Sequence, residues 1–340
     1  MRFNIALFFI LFSLEIQAQK VSFIQNEKAK KVEILVDNQP FTAYFYPDAS
    51  VLKKPVLYPI RSSQGTLLTR GWPLDPRAGE RVDHPHHVGM WLNYEDVNGD
   101  DFWNNSNTPP NPKASYGTII HTGIQKIKGG KQGILAVTAD WMSSKNAKVL
   151  EETTTYVFAG SGNQRTIERT TRLKALGEKV VFKDVKDGMI AMRLTRELEI
   201  PSTKPDIFTD ASGVATAVPK MDNTGITGNY HSSNGIDGEK VWGTRGNWMS
   251  INGKIQDEDL SITIIDHPKN VGYPTYWHAR GYGLFSANPL GQSVFSNGKE
   301  VLNFTLNPNQ SVTFKYKIVI ASEKMTDEVL NKMAVDFAKK

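Results

Sequence analysis

Apolar and polar residues alternate with a period of two along most of the chain, and short polar turns punctuate the runs. Lys31 to Val36 and Phe41 to Tyr46 read as strands joined through Asp37-Asn38-Gln39-Pro40. Thr118 to Lys126 and Ile134 to Trp141 flank a Gly-rich turn at 128–133. Glu151 to Phe158 turns through Gly160-Ser161-Gly162-Asn163 into Thr166 to Leu173. Further strands are predicted at Val180 to Asp184, Met189 to Thr195, Leu260 to Asp266, Gly283 to Ala287, Val301 to Leu306 and Val312 to Ile320. Helices do not alternate with these runs, so a doubly wound α/β fold is disfavoured. The pattern predicts an all-β protein built as a large antiparallel β-sandwich.

The tail breaks this rhythm. Thr326 is a suitable N-cap, Asp327 and Glu328 complement the N-terminal end of a helix dipole, and Val329, Leu330, Met333 and Phe337 recur at helical spacing. A C-terminal helix over about 326–338 is therefore expected to pack on the sandwich. Residues 201–240 are rich in Pro, Gly, Asn, Ser and Thr with little periodicity, which reads as a loop-rich insertion, either a lid over a site or a loosely ordered excursion. No clear linker divides 19–340, so one domain is expected.

The N-terminus carries its own pattern. Arg2 precedes an apolar run of ten residues, Ile5 to Leu14, and Ala18 offers a small residue before a cut. That run is too short to span a bilayer of about 30 Å, so residues 1–18 read as a signal peptide, and no integral membrane segment is expected in the rest. The localisation this implies is periplasmic or secreted. The chain has 340 residues and no cysteine, which excludes disulfides and thiolate chemistry. Its net charge of +5 is spread without a basic run, so no nucleic-acid partner is expected.

Nucleotide-binding glycine motifs, a GxSxG elbow and HExxH are all missing from the sequence. Asp96-Val97-Asn98-Gly99-Asp100 resembles half a calcium loop, but its glycine and its twelfth residue do not fit an EF-hand. The chemistry-bearing residues fall into two clusters instead. In Asp83-His84-Pro85-His86-His87, an extended chain would project His84 and His86 to one side, about 6–7 Å apart. That spacing suits two polar groups gripping a substrate, or two ligands of a divalent metal; a solvated loop is the plain alternative.

Gly89 to Trp103 then holds four aromatics and four carboxylates in fifteen residues. Flat rings such as Trp91 and Trp103 stack on sugar faces, while Asp96, Asn98 and Asp101 suit hydroxyls, although a buried hairpin would account for the same residues. The second cluster is Tyr273 to Gly283, where His278 lies between Trp277 and Arg280. An imidazole with an ordinary pKa near 6.5 can move protons either way at neutral pH. His278 and His121 are the candidate proton-transfer groups, with Asp96 or Asp101 as the basic partner. His84, His86, His87, Trp91, Asn98, Trp103, Arg193, Trp277 and Arg280 are candidate substrate contacts. His121 has a core-histidine alternative and Arg193 a simple ion-pair alternative. His231 and His267 receive no role.

His84-Pro85-His86-His87-Val88-Gly89-Met90-Trp91 followed by Asp96 to Trp103, with Tyr276 to Phe285 and Asn288-Pro289 downstream, resembles a bacterial family of unknown function that has carried the label "methane oxygenase PmoA". The likeness spans most of 30–320. One departure is Val88, where many relatives carry Arg. The label does not suit these residues, because a membrane oxygenase subunit needs several spanning helices. The resemblance implies a supersandwich similar to galactose mutarotase, an architecture shared by sugar epimerases, polysaccharide lyases and parts of glycosidases. The expected function is an exported carbohydrate-active protein, acting as a hydrolase, lyase or epimerase on a glycan fragment or modified sugar. It would use His and carboxylate acid–base chemistry and require no cofactor. The alternatives are a non-catalytic carbohydrate-binding protein and a metal-dependent enzyme using His84 and His86.

Overall fold

A computed structural model describes residues 19–340; the expected signal peptide at 1–18 lies outside the described residues. Two antiparallel sheets of eight strands face each other. The first runs Val21–Asn26, Lys31–Val36, Gln39–Phe45, Val56–Leu57, Met90–Tyr94, Gly188–Arg193, Leu284–Asn288, Tyr276–Trp277. The second runs Asn229–Ser232, Trp248–Ile255, Glu258–Asp266, Ser311–Ala321, Gln164–Ala175, Lys148–Ser161, Gly133–Met142, Thr118–Lys128. The all-β sandwich with a C-terminal helix is thus the observed fold. Ile34, Leu92, Ile190 and Phe285 of the first sheet meet Leu135, Phe158, Ile167, Ile262, Phe314 and Ile318 of the second in one continuous core.

The sheets treat their outer faces differently. Gly133–Met142 alternates strictly between buried and half-buried residues, as a strand with one wet face should. Met90–Tyr94, Gly188–Arg193 and Leu284–Asn288 are buried at every position. Something therefore covers the first sheet from outside. The cover comes from the segments on either side of Met90–Tyr94, and beneath it lies a second apolar cluster containing Leu52, Val56, Val88, Trp91, Trp103, Ala191 and Leu284. The candidate chemistry lies under this cover.

The helix Asp327–Ala338 is capped by the Thr326 Oγ1, which accepts the Val329 N–H at 3.4 Å. It buries Leu330, Ala334 and Phe337 against Trp248, Ile265 and Val319, while Val329 is exposed. The 201–240 stretch is more ordered than its composition suggests. Asp206–Thr209 pairs with Ala215–Val218 as a hairpin, and Asn229–Ser232 is an edge strand of the second sheet. The hairpin also bonds the chain just before His84: Val82 N–H donates to Ile207 O at 2.9 Å and Gly79 N–H to Thr209 O at 2.7 Å.

Several boundaries differ from the pattern. Asp37 and Asn38, both at positive φ, make the first turn alone, and Gln39 and Pro40 join the next strand. The predicted strands at 180–184 and 301–306 shrink to Val180–Val181 and Thr305–Leu306, paired only with each other.

Candidate functional site

Asp83 to His87 is a turn, not the extended run expected. His84 has φ of +43°, and the His87 N–H donates to His84 O at 2.9 Å. The expected same-side projection of His84 and His86 is therefore corrected: His84 is exposed and His86 buried, with ring centroids 5.7 Å apart. Arg70 holds the turn. Its buried guanidinium donates to Asp83 O (2.8 Å), His84 O (3.0 Å), His87 O (3.1 Å) and Arg81 O (3.2 Å), as well as to the Asp83 carboxylate. Gly89 then swings the chain into Met90–Tyr94 with φ of +58°, and a Cβ there would lie 2.2 Å from Leu57 O. Strand alternation sends Met90, Leu92 and Tyr94 to the inter-sheet core and Trp91 to the outer cluster.

The rings form a continuous packing. Tyr282 stacks on His84 (5.1 Å), His84 on His87 (4.8 Å, planes 3° apart) and His87 on Trp91 (5.2 Å). His86 meets His87 edge-on at 4.3 Å. Trp103 contacts Trp91 (5.4 Å) and His87 (5.7 Å) on one side, and on the other lies 6.5 Å from His278. Two clusters almost two hundred positions apart in sequence thus share one aromatic assembly.

Charge is arranged around it. Asp83 accepts from both Arg70 and Arg193 (Arg193 Nη2 at 2.6 Å) and lies 3.0 Å from His84 Nδ1; the paired guanidiniums hold its carboxyl far below the usual range against the opposing effect of burial. Arg193 also packs over the Tyr282 ring at 4.8 Å and reaches His87 Nδ1 at 3.3 Å. Since arginine only donates, that nitrogen is the acceptor and a neutral His87 carries its proton on Nε2. Burial pushes the pKa values of His86 and His87 well down, reinforced by Lys54 for His86 and by His86 for His87. His278 falls to about 4 through burial, opposed by Asp187, whose Oδ1 lies 3.2 Å from His278 Nδ1 without hydrogen-bond geometry. Glu95 rises to about 7 through burial and the neighbouring Asp187.

Buried nitrogens without a hydrogen-bond partner concentrate here: both of His86, Nε2 of His87, Nδ1 of His278 and Nε1 of Trp91. His86 lines a cavity of about 230 Å³ together with Lys54, Trp72, Asn105 and Ser106. Among the described residues no group of three or more His, Asp or Glu side chains is placed to hold a metal ion.

The structure brings together His84, His86, His87, Trp91, Trp103, Arg193 and His278. It separates others. His121 sits on the second sheet, bonded to Tyr44 Oη at 3.0 Å and packed on Tyr46 at 4.2 Å, with no contact to the ring assembly. Its pKa is lowered to about 4 by burial. The Trp277 ring belongs to the inter-sheet core, because alternation turns it away from its neighbour His278. Asp96 caps a turn by accepting the Gly99 N–H at 2.9 Å. Asn98 bridges to Lys179 O and Val181 N–H. Asp101 accepts from Trp103 N and Asn104 N, both at 2.8 Å, and so shapes the loop that carries Trp103. Arg280 lies over Trp242 at 4.6 Å. Those six are corrected to structural positions, since their polar atoms or rings are committed elsewhere. Lys54, Arg70, Asp187 and Tyr282 were not singled out from sequence. Lys54, Arg70 and Asp187 stand among ordinary neighbours, whereas Tyr282 lies inside the Tyr273 to Gly283 cluster and Asp83 beside the histidines, where the local concentration was the signal.

Residues 31–335 match a family described as "Family of unknown function (DUF6807)", and the chain belongs to that family. No curated protein matches the sequence. Similar solved structures include the GH36 α-galactosidase AgaB from Geobacillus stearothermophilus (12% identity, 88% of this chain and 40% of that one, TM-score 0.39). Others are the Slr1438 protein from Synechocystis sp. PCC 6803 (12%, 89% and 96%, TM-score 0.34) and a putative aldose 1-epimerase from Escherichia coli K12 (10%, 88% and 98%, TM-score 0.32). The chain spans about two fifths of the α-galactosidase. Likenesses at this level carry nothing about site or activity.

Proposed function

We propose that the protein is an exported carbohydrate-active enzyme, acting on a glycan fragment or modified sugar at the ring assembly under the first sheet's cover. The observation that carries this reading is His86: a buried imidazole with both nitrogens unpartnered, in the wall of a cavity that Trp72 also lines. Buried polar atoms are normally satisfied, so these are positions a ligand's hydroxyls can complete. With its pKa well below the ordinary value, His86 is an uncharged ring at neutral pH. One nitrogen can donate to a hydroxyl while the other accepts a proton. His278 is the second proton-transfer group, and the Asp187 carboxylate at 3.2 Å stabilises the imidazolium formed when the ring takes a proton.

Support for a sugar rests on this combination of flat rings and neutral donors and acceptors. The apolar run at Ile5 to Leu14 supports export, and no helix among the described residues is long and apolar enough to cross a membrane. The test is turnover of a defined glycan and monosaccharide pool by wild type, His86→Ala and His278→Ala, with binding measured alongside. Loss of turnover by about 10²–10⁴-fold with binding retained in His278→Ala supports the reading. A loss of binding alone, with no turnover in wild type, leaves a non-catalytic sugar-binding protein.

A further inference from the structure

Lys54 is the unusual residue of the His86 cavity. Its side chain is 4% exposed, yet among the described residues no carboxylate lies within ion-pair distance of its ammonium. Nζ donates to His86 O at 2.9 Å and Asn105 Oδ1 at 3.2 Å and lies 5.5 Å from the Trp91 ring centre. Two neutral acceptors leave one N–H of the ammonium uncommitted. A buried charge without a counter-ion is costly, and burial lowers the Lys54 pKa to about 7. The Asp101 carboxylate opposes that shift, but its oxygens are engaged by Trp103 N, Asn104 N and Asn104 Nδ2.

The rest of the wall agrees. Among the described residues no Asp or Glu lines this cavity, whereas Lys53 and Lys54 both do. Ser106 Oγ is buried without a partner, as are both His86 nitrogens. Ammonium, imidazole and hydroxyl donors around a small volume that lacks carboxylates make a receptor for an anion.

We infer that the ligand of this cavity is a sugar bearing an anionic substituent, a carboxylate or a sulfate ester, received by Lys54, His86 and Ser106. The inference rests on the sugar-site reading above and narrows its substrate class. The anion supplies the counter-ion that the fold withholds from Lys54, and the neutral donors set its orientation.

The test is titration calorimetry on the full chain with matched sets: glucose, glucuronate and glucose 6-sulfate, and the corresponding galactose and mannose series. Anionic members are expected to bind about 10- to 100-fold tighter than their neutral parents, the weight of a charge-assisted hydrogen bond. The better of carboxylate and sulfate identifies the group. Lys54→Met should erase that preference, read as the ratio of anionic to neutral affinity within the variant, and Ser106→Ala should reduce the same ratio. At pH 8 the wild type should take up a proton on binding the anion, seen as a buffer-dependent enthalpy that Lys54→Met lacks. The groups facing Lys54 in this measurement are Lys53, His86 and Asp101. Equal affinity for neutral and anionic members overturns this inference and leaves the sugar site standing. Failure of every member to bind removes both.

Discussion

Asp83→Asn isolates the electrostatic centre of the site. The carboxylate is the shared anion of two guanidiniums, Arg70 and Arg193, whose side chains are 1% and 0% exposed. Asparagine keeps the shape and can still accept one hydrogen bond, but it leaves two buried positive charges facing each other without an anion. Removing one partner of a buried pair costs about 3–5 kcal/mol, and the remaining acceptor puts this change near the lower end. For a chain of this size that corresponds to a fall in Tm of roughly 4–6 °C. The sign with pH is fixed. The folded pKa of Asp83 is depressed, so its stabilisation is fully present above the unfolded value near 3.8 and is lost as pH falls through the folded value. The gap between wild type and variant should therefore be widest at neutral pH and narrow below about pH 4. Denaturant unfolding at pH 7 and at successively lower pH measures it. A variant within about 1 kcal/mol of wild type at pH 7 would refute the view that Asp83 neutralises both arginines.

Gly89→Ala should destabilise by at least about 1–3 kcal/mol in denaturant unfolding, because it adds backbone strain at positive φ and a Cβ against Leu57 O. Phe337→Ala should cost about 3–5 kcal/mol and loosen the C-terminal helix, read as a change in Trp248 fluorescence, since Trp248 Nε1 bonds Asn331 on that helix at 2.7 Å. His231 joins Asp237 (2.7 Å) and Asp327 (3.1 Å), and these carboxylates raise its pKa against burial. Its contribution is present below the unfolded value near 6.5 and lost as pH rises through the folded one, so the protection of the Asp327–Ala338 amides, taken relative to their intrinsic base-catalysed exchange, should fall towards alkaline pH in wild type and lose that dependence in His231→Ala. His278 should stay neutral until about pH 4 by NMR titration, and Asp187→Asn should push it lower still, because the carboxylate is what opposes its desolvation.

Sequence periodicity determined the β class and the position of the C-terminal helix, because strands with one wet face and a helix with a capped, amphipathic start write their environment into local order. Gly133–Met142 shows this directly. It missed Met90–Tyr94, which is buried on both sides with no alternation to read and whose Trp, Asn and Tyr look alike whether they face core or site, although the equally buried Gly188–Arg193 and Leu284–Asn288 were recognised from their apolar runs. The two histidine clusters were visible as unusual local concentrations, yet their meeting across Trp103 depends on which strands of the first sheet become neighbours. Alternation in place then separated His278 from Trp277 and committed Asp96 and Asn98 to turns. Lys54, Arg70 and Asp187 gave no local sign, because a single charged residue acquires its character only from what surrounds it. Burial and partners are properties of the fold, and they, not residue type, left Lys54 without a counter-ion and His86 without a partner.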